Sequence, residues 1–367
     1  MTEENTRTSA LAEKHKILGS GLEDWNGMGT AWTYNTDPDK EHDAIRESAG
    51  MIDMSGLKKI RISGKDALDV LNYSFSRELS NLQVGNSSYG IVLNDKGLVA
   101  DDAIVYVNEN EFIFVHGSGE SMELIQESAK GKDVSVHFDD NLHDISLQGP
   151  KAQEILNNNT PIDLEALKYF NHTETELFGR ACMLSRTGYS GEKGYELFVL
   201  GKDAPSIWDS LLEEGSQLGI MPASFTALDK ARIEAGLLFY GYDMTNEHSP
   251  WEVNLQWTMS KNKTGYRGYD SAMNIKDKAS FKNVGFTINH NEALAGGEEI
   301  FVNNEKVGII NSPCFSNRMN KSLALGHINL ENAKPDTKVT VKSNDKEIEA
   351  ILCDIPFYDP SKTKTHS

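Results

Sequence analysis

Cysteine is scarce: Cys182, Cys314 and Cys353 are the only three in 367 residues, and no two share a C-x-x-C spacing. That leaves neither a disulfide framework nor a cysteine-built zinc site, and it suits a reducing compartment. Positive charge is also short, with 36 Lys and Arg against 55 Asp and Glu, a formal charge of −19. A nucleic-acid partner is therefore not expected, because neutralising phosphates needs a basic face. No apolar run approaches the roughly 18 residues of a membrane span. The first residues, Met1-Thr2-Glu3-Glu4-Asn5, resemble neither a signal peptide nor a transit peptide. The expectation is a soluble, cytoplasmic protein with no membrane partner.

Several motifs are missing too. There is no G-x-x-x-x-G-K-[ST] loop, no H-E-x-x-H and no G-x-S-x-G. His42, His143, His248 and His327 show no ligand spacing, so no metal site is expected. His116-Gly117-Ser118-Gly119 reads as a turn between a strand and a helix.

What is present is enough for packed cores: 38% of residues are hydrophobic. The length exceeds what one core usually serves, so two or three domains are expected. The polar opening stretch holds Trp25, Trp32 and Tyr34 among Gly and Asn, either as plugs over a core or as walls of a pocket. A helix is predicted over 41–49. Strand 59–62 leads to Ser63, a candidate N-cap for the apolar helical run 67–73. Strands 88–93 and 102–107 form a hairpin around 94–98, followed by strand 111–115, helix 121–130 and strand 133–138. This order resembles a split β-α-β unit. Strands are predicted at 144–147, 180–185 and 195–199, and helices after Pro150, at 204–214 and at 225–235. From about residue 280 short strands recur at 284–288, 299–302, 306–310, 323–327, 338–342 and 346–352, as in a small β-barrel or sandwich. The tail 361–367 reads as frayed.

Two segments carry chemistry. Asp101 and Asp102 stand side by side at the start of an apolar strand, where side chains alternate between faces, so one of them points inward. An inward carboxylate is either a structural acceptor or a working group. The second segment runs from Arg186 to Leu197, with three glycines and then Glu196 inside a strand. A carboxylate only accepts, and its two oxygens match parallel N–H donors, such as a heterocycle with a ring N–H beside an exocyclic amine.

At these residues the sequence resembles the aminomethyltransferase, or T-protein, of the glycine cleavage system and its folate-dependent relatives, including demethylases. The matching stretches are Ile145 to Ala152, Thr187 to Glu196, Arg232 to Gly241, Ser249 to Trp257 and Asn320 to His327, collinear to the C-terminus. The resemblance implies an α+β fold, a three-domain cloverleaf with a C-terminal small β-barrel, divided as 1–57 plus 145–251, 58–144 plus 252–280, and 281–367. It implies tetrahydrofolate in a central hole, with Glu196 on the pterin edge and the catalytic role on Asp102, Asp101 being the alternate. Tyr189, Arg232 and Phe114 fall at cofactor-binding positions; packing in the turn is an equal reading for Tyr189, and an ion pair with Glu234 or Asp229 a competing one for Arg232.

The departures bear on the one-carbon donor. Leu228 stands where the T-protein has a folate-contacting Arg, and Phe114 near its active-site Tyr. Trp25, Trp32, Tyr34 and Trp251 are candidate walls of a pocket for a methylated amine or a sulfonium, whose charge suits aromatic faces. The alternative donor is an aminomethyl group on a lipoyl carrier protein. A non-catalytic folate-binding relative that assists iron–sulfur cluster assembly is the other class, but its Lys-Gly-Cys-Tyr-x-Gly signature reads Lys263-Thr264-Gly265-Tyr266-Arg267-Gly268 here, without the Cys. An anionic folate in an acidic protein needs a local basic island, for which Lys261, Lys263, Arg267 and Lys321 are candidates.

Overall fold

The computed structural model describes residues 6–367. A six-stranded sheet runs, in spatial order, His172–Leu177, Arg180–Ser185, Gly194–Leu200, Leu142–Gln148, Gly50–Asp53 and Met221–Pro222, antiparallel except for the last pair. Its central strands are buried on both faces: Gly194–Leu200 is apolar but for Glu196, whereas Leu142–Gln148 buries His143, Asp144, Ser146 and Gln148 among its apolar residues. Tyr195, Leu197 and Val199 alternate onto one face, where they pack against Ile207, Trp208 and Leu211 of the helix Ala204–Glu214. Glu196 and Phe198 take the opposite face.

A five-stranded antiparallel sheet, ordered Ser87–Leu93, Val99–Val107, Phe112–His116, Lys58–Ser63 and Ser135–Phe138, carries the helices Ala67–Ser74 and Ser121–Ser128 on one side. Its other side meets the six-stranded sheet through Tyr106, Ile113 and Val115 against Met183 and Phe198. The helix Ala67–Ser74 begins at Asp66 and not at the expected Ser63, which is the last strand residue and pairs with Ser135.

The C-terminal strands close into a six-stranded barrel, Phe281–Ile288, Lys321–Asn329, Glu305–Ser316, Glu299–Val302, Lys338–Ser343 and Lys346–Cys353. Phe286, Ile300, Ile310, Val341 and Leu352 fill it. The strand Glu305–Ser316 runs six residues beyond the predicted end at 310, past a register shift between Ile310 and Ser312.

The helix Phe225–Glu234, capped by Ser224, ties the pieces together. Buried Glu234 accepts from Arg46 Nη2 at 2.7 Å and from Ser316 Oγ of the barrel at 2.5 Å, with His42 Nε2 at 3.0 Å. The tail is ordered rather than frayed: Thr363–His366 is helical, and buried Arg186 donates from Nη2 to the carbonyls of Thr365 and Ser367, each at 2.9 Å. No helix among the described residues is long and apolar enough to cross a membrane.

Candidate active site

Where the two sheets meet, a cavity of about 910 Å³ opens, with further walls from the barrel at Asn311 and Ser312 and from the tail at Thr365 and His366. Alternation along Val99–Val107 separates the two aspartates. Ala103 and Val105 join the core beneath the helices, and Asp101 shares their face. Asp102, Ile104 and Tyr106 line the cavity.

Asp101 is fully buried and does not line the cavity. It accepts from Ser121 Oγ at 2.6 Å and from the Asp102 amide at 2.9 Å, and lies 2.7 Å from His116 Nδ1. These partners make it a framework carboxylate that fixes the start of the helix Ser121–Ser128. Asp102 instead turns its carboxylate to the cavity and accepts the Tyr89 hydroxyl at 2.8 Å. Burial, and then the charge of Asp101, push its pKa up to about 7 against the opposing Tyr89 bond.

Glu196 lines the same cavity from the six-stranded sheet. Its Oε2 accepts the Tyr106 hydroxyl at 3.2 Å and the Thr187 hydroxyl at closer range, while among the described residues no donor reaches Oε1. Burial raises the Glu196 pKa, opposed by the Thr187 and Tyr106 bonds. One oxygen is thus fixed by the protein and the other is left to accept from a ligand.

The remaining candidates divide. Tyr189 lines the cavity with its hydroxyl donated to the Leu238 carbonyl. Arg232 is a wall residue whose donors are committed: Nε to Asp229 at 2.7 Å, Nη1 to Asp243 at 2.6 Å, Nη2 to Ser312 at 2.8 Å. Its carboxylate partners are Asp229 and Asp243, not Glu234. Phe114 does not reach the cavity; it is fully buried on the helix-covered face beside Phe75. Trp25 and Trp32 line the cavity and pack around Phe225, at ring distances of 4.8 and 5.4 Å. Tyr34 lies outside it, its hydroxyl 2.9 Å from His15 Nδ1, and Trp251 packs into the cluster around Ile91 and Val253. The expected basic island is not there either. Lys263 donates to the Phe75 carbonyl at 2.7 Å, Arg267 pairs with Asp95 and Glu127, and none of the four proposed residues lines the cavity.

Sequence reasoning missed Tyr106, Tyr89, Arg77 and Trp257, all lining residues. Tyr106 was open to detection: four residues after Asp102 on one strand, it shares that residue's face.

The whole architecture matches proteins of known type. The GCVT N-terminal domain family matches residues 11–263, and the glycine cleavage T-protein C-terminal barrel domain matches residues 282–359. The chain belongs to the glycine cleavage T-protein family. A heme-dependent oxidative N-demethylase gamma subunit from Ectopseudomonas mendocina is 41% identical over 98% of this chain and 97% of its own length. The aminomethyltransferase of Thermotoga maritima is 32% identical over 96% of this chain and 98% of its own. The crystal structure of glycine cleavage system aminomethyltransferase T from Bartonella henselae superposes with a TM-score of 0.90 at 25% identity, covering 96% of this chain and 98% of that one.

Membership makes this T-protein relative a folate-dependent transferase, with tetrahydrofolate as the family's one-carbon acceptor. The cavity fits that group on its own chemistry. The free Oε1 of Glu196 offers an acceptor to a ring edge rich in N–H donors, and the buried indole N–H of Trp25, another lining residue, has no partner among the described residues.

Proposed function

We propose that the chain moves a one-carbon unit from an N-methylated amine to tetrahydrofolate held between the two sheets. The observation that carries this reading is two carboxylates on one cavity, buried Glu196 with one oxygen free and half-buried Asp102 with its pKa pushed up to about 7. Tetrahydrofolate, when bound, supplies the nitrogen that bonds to the carbon. Glu196, steadied by Tyr106 and Thr187, would bind and orient its ring edge. Asp102, held by Tyr89, would take the proton released at the acceptor nitrogen and stabilise charge that develops there. Trp25, Trp32, Phe225 and Leu228 would keep water from the reacting carbon. We also take the division into 1–57 plus 145–251, 58–144 plus 252–280, and 281–367 as the domain organisation; it tracks the three larger sheets except that the strand Leu142–Gln148 of the six-stranded sheet crosses the boundary at 144/145.

The donor is argued from two supports. Leu228 gives the wall an apolar side chain, and the aromatic rings of Trp25 and Trp32 suit a methylated, positively charged nitrogen. The 41% identical relative is named as one subunit of an oxidative N-demethylase, whereas the relatives named aminomethyltransferase stand near 30%. Oxidation of the N-methyl group to formaldehyde would fall to a partner subunit with its own oxidant, and capture of the formaldehyde to this chain, the carbon bonding to two folate nitrogens while its oxygen leaves as water with the two protons those nitrogens release. The competing donor is an aminomethyl group on a lipoyl carrier.

The two are separated by incubating the chain and tetrahydrofolate with an oxidising N-methylamine system or with an aminomethylated lipoyl protein. Chain-dependent 5,10-methylenetetrahydrofolate from the first alone supports the reading. Ammonia release and folate product from the lipoyl protein alone contradict it.

A further inference from the structure

Three cationic side chains line the cavity of this acidic protein: Arg77, Arg232 and Lys362. The guanidinium of Arg232 is spent on Asp229, Asp243 and Ser312, and Lys362 sits exposed on the tail. Arg77 differs from both. It is half-buried, pairs with no carboxylate among the described residues, and uses only Nε, donated to the Tyr89 carbonyl at 3.2 Å. Among the described residues, its two terminal nitrogens have no hydrogen-bond partner.

The arm is held in place by its surroundings. Its stem passes Gly90, where an added Cβ would lie 2.9 Å from the Arg77 Cγ. Its guanidinium lies over Trp257 at 5.3 Å, and Trp257 stacks on Tyr89 at 6.0 Å. Next to Arg77, Ser76 Oγ donates to the Thr258 carbonyl at 3.1 Å, tying the two segments together. A guanidinium with a fixed plane and free N–H groups presents a fork that matches a carboxylate. The other ionisable walls of the cavity include Asp102, Glu196 and Asp229, which repel one.

We propose that Arg77, on its Trp257–Tyr89 platform, is the site that receives a ligand carboxylate, and that this carboxylate is the glutamate end of tetrahydrofolate. The inference rests on the folate reading above and adds the polarity of binding. Donor-rich ring nitrogens go to Glu196, and the anionic end goes to the half-buried, fixed guanidinium that has no counter-ion among the described residues. A carboxylate on the methylated donor is the other source of the same chemistry, and the test separates the two.

The test is calorimetric titration of the full chain, without donor, with tetrahydrofolate and with tetrahydropteroate, which lacks the glutamate. In the wild type, tetrahydrofolate is expected to bind more tightly by about tenfold to a hundredfold, the range of a charge-assisted bidentate contact. In Arg77→Met the gap is expected to close to within about threefold, with tetrahydropteroate binding unchanged, because only the carboxylate partner is gone. Arg77→Lys, which keeps the charge but not the fork, should show an intermediate gap and serves if the Met variant does not fold. An undiminished gap in both variants, or equal binding of the two compounds by the wild type, would overturn the assignment, the latter pointing to a donor carboxylate. Failure of the wild type to bind either compound would instead sink the folate reading itself.

Discussion

The Tyr89 hydroxyl donates to the Asp102 carboxylate at 2.8 Å, from the strand next to the one that carries Asp102. Asp101, one residue earlier, faces the other way and is held by His116 and Ser121. A single step along the strand therefore separates a framework carboxylate from one that addresses the cavity.

Asp102→Asn should lower kcat by about a hundredfold or more, the usual scale of a lost acid–base or charge-stabilising group. The melting temperature should not fall. Burial raises the folded pKa of Asp102 from 3.8 to about 7, so the folded chain holds this proton more tightly than the unfolded one. Its ionisation therefore weakens the fold as pH rises between those values, and the amide removes that penalty. Thermal melts at pH 8 beside steady-state rates check both halves.

The same group predicts a pH profile. If ionised Asp102 accepts the proton, wild-type kcat rises with pH through a midpoint near 7. That inflection should vanish in Asp102→Asn, which rate measurements between pH 5.5 and 8.5 would resolve.

Glu196→Gln should weaken tetrahydrofolate binding by about 1.5–3 kcal/mol, because with the amide oxygen held by Tyr106 and Thr187 the ligand would meet an uncharged NH2 donor where it met a charged acceptor. Calorimetry with tetrahydrofolate alone reads this without turnover. Equal affinity would remove the ring-edge role.

The Arg46–Glu234 pair tests the frame around the cavity. Burial alone would raise the Glu234 pKa, but the His42 hydrogen bond and the Arg46 charge outweigh it and hold it at about 2. Glu234 thus contributes stability above about pH 4.5, lost as pH falls toward 2. Glu234→Ala leaves Arg46 buried without its main partner and should cost about 3–5 kcal/mol near neutral pH. Denaturant melts should show the deficit shrinking as the pH is lowered toward 3.

Much of this was legible in the sequence, for identifiable reasons. The hairpin Ser87–Leu93 with Val99–Val107 and the barrel strands were found because alternation and turn residues coincide there. The hairpin of Glu23–Trp25 and Met28–Thr30 was missed although Asn26-Gly27 turns it with both residues at positive φ, because its three-residue arms are too short to show a period. The edge strand His172–Leu177 was missed because Glu174 and Glu176 on its exposed face alternate with Thr173 and Thr175 on the other, so neither face shows an apolar row. Asp101 and Asp102 could not be told apart until the register fixed which face holds the cavity. Arg77, Tyr89 and Trp257 converge from three separate segments, and their spacing in sequence carries no trace of it.

The central claim is that a methyl carbon lost from an amine nitrogen is delivered to tetrahydrofolate in this cavity. It is met most directly by oxidising a ¹³C-methyl-labelled amine in the presence of the chain and tetrahydrofolate, and following the label by NMR. The account predicts rapid appearance of label in 5,10-methylenetetrahydrofolate with the wild type, and slow appearance alongside free formaldehyde with Asp102→Asn. The same rate and distribution with wild type, with the variant and with no chain at all would contradict it.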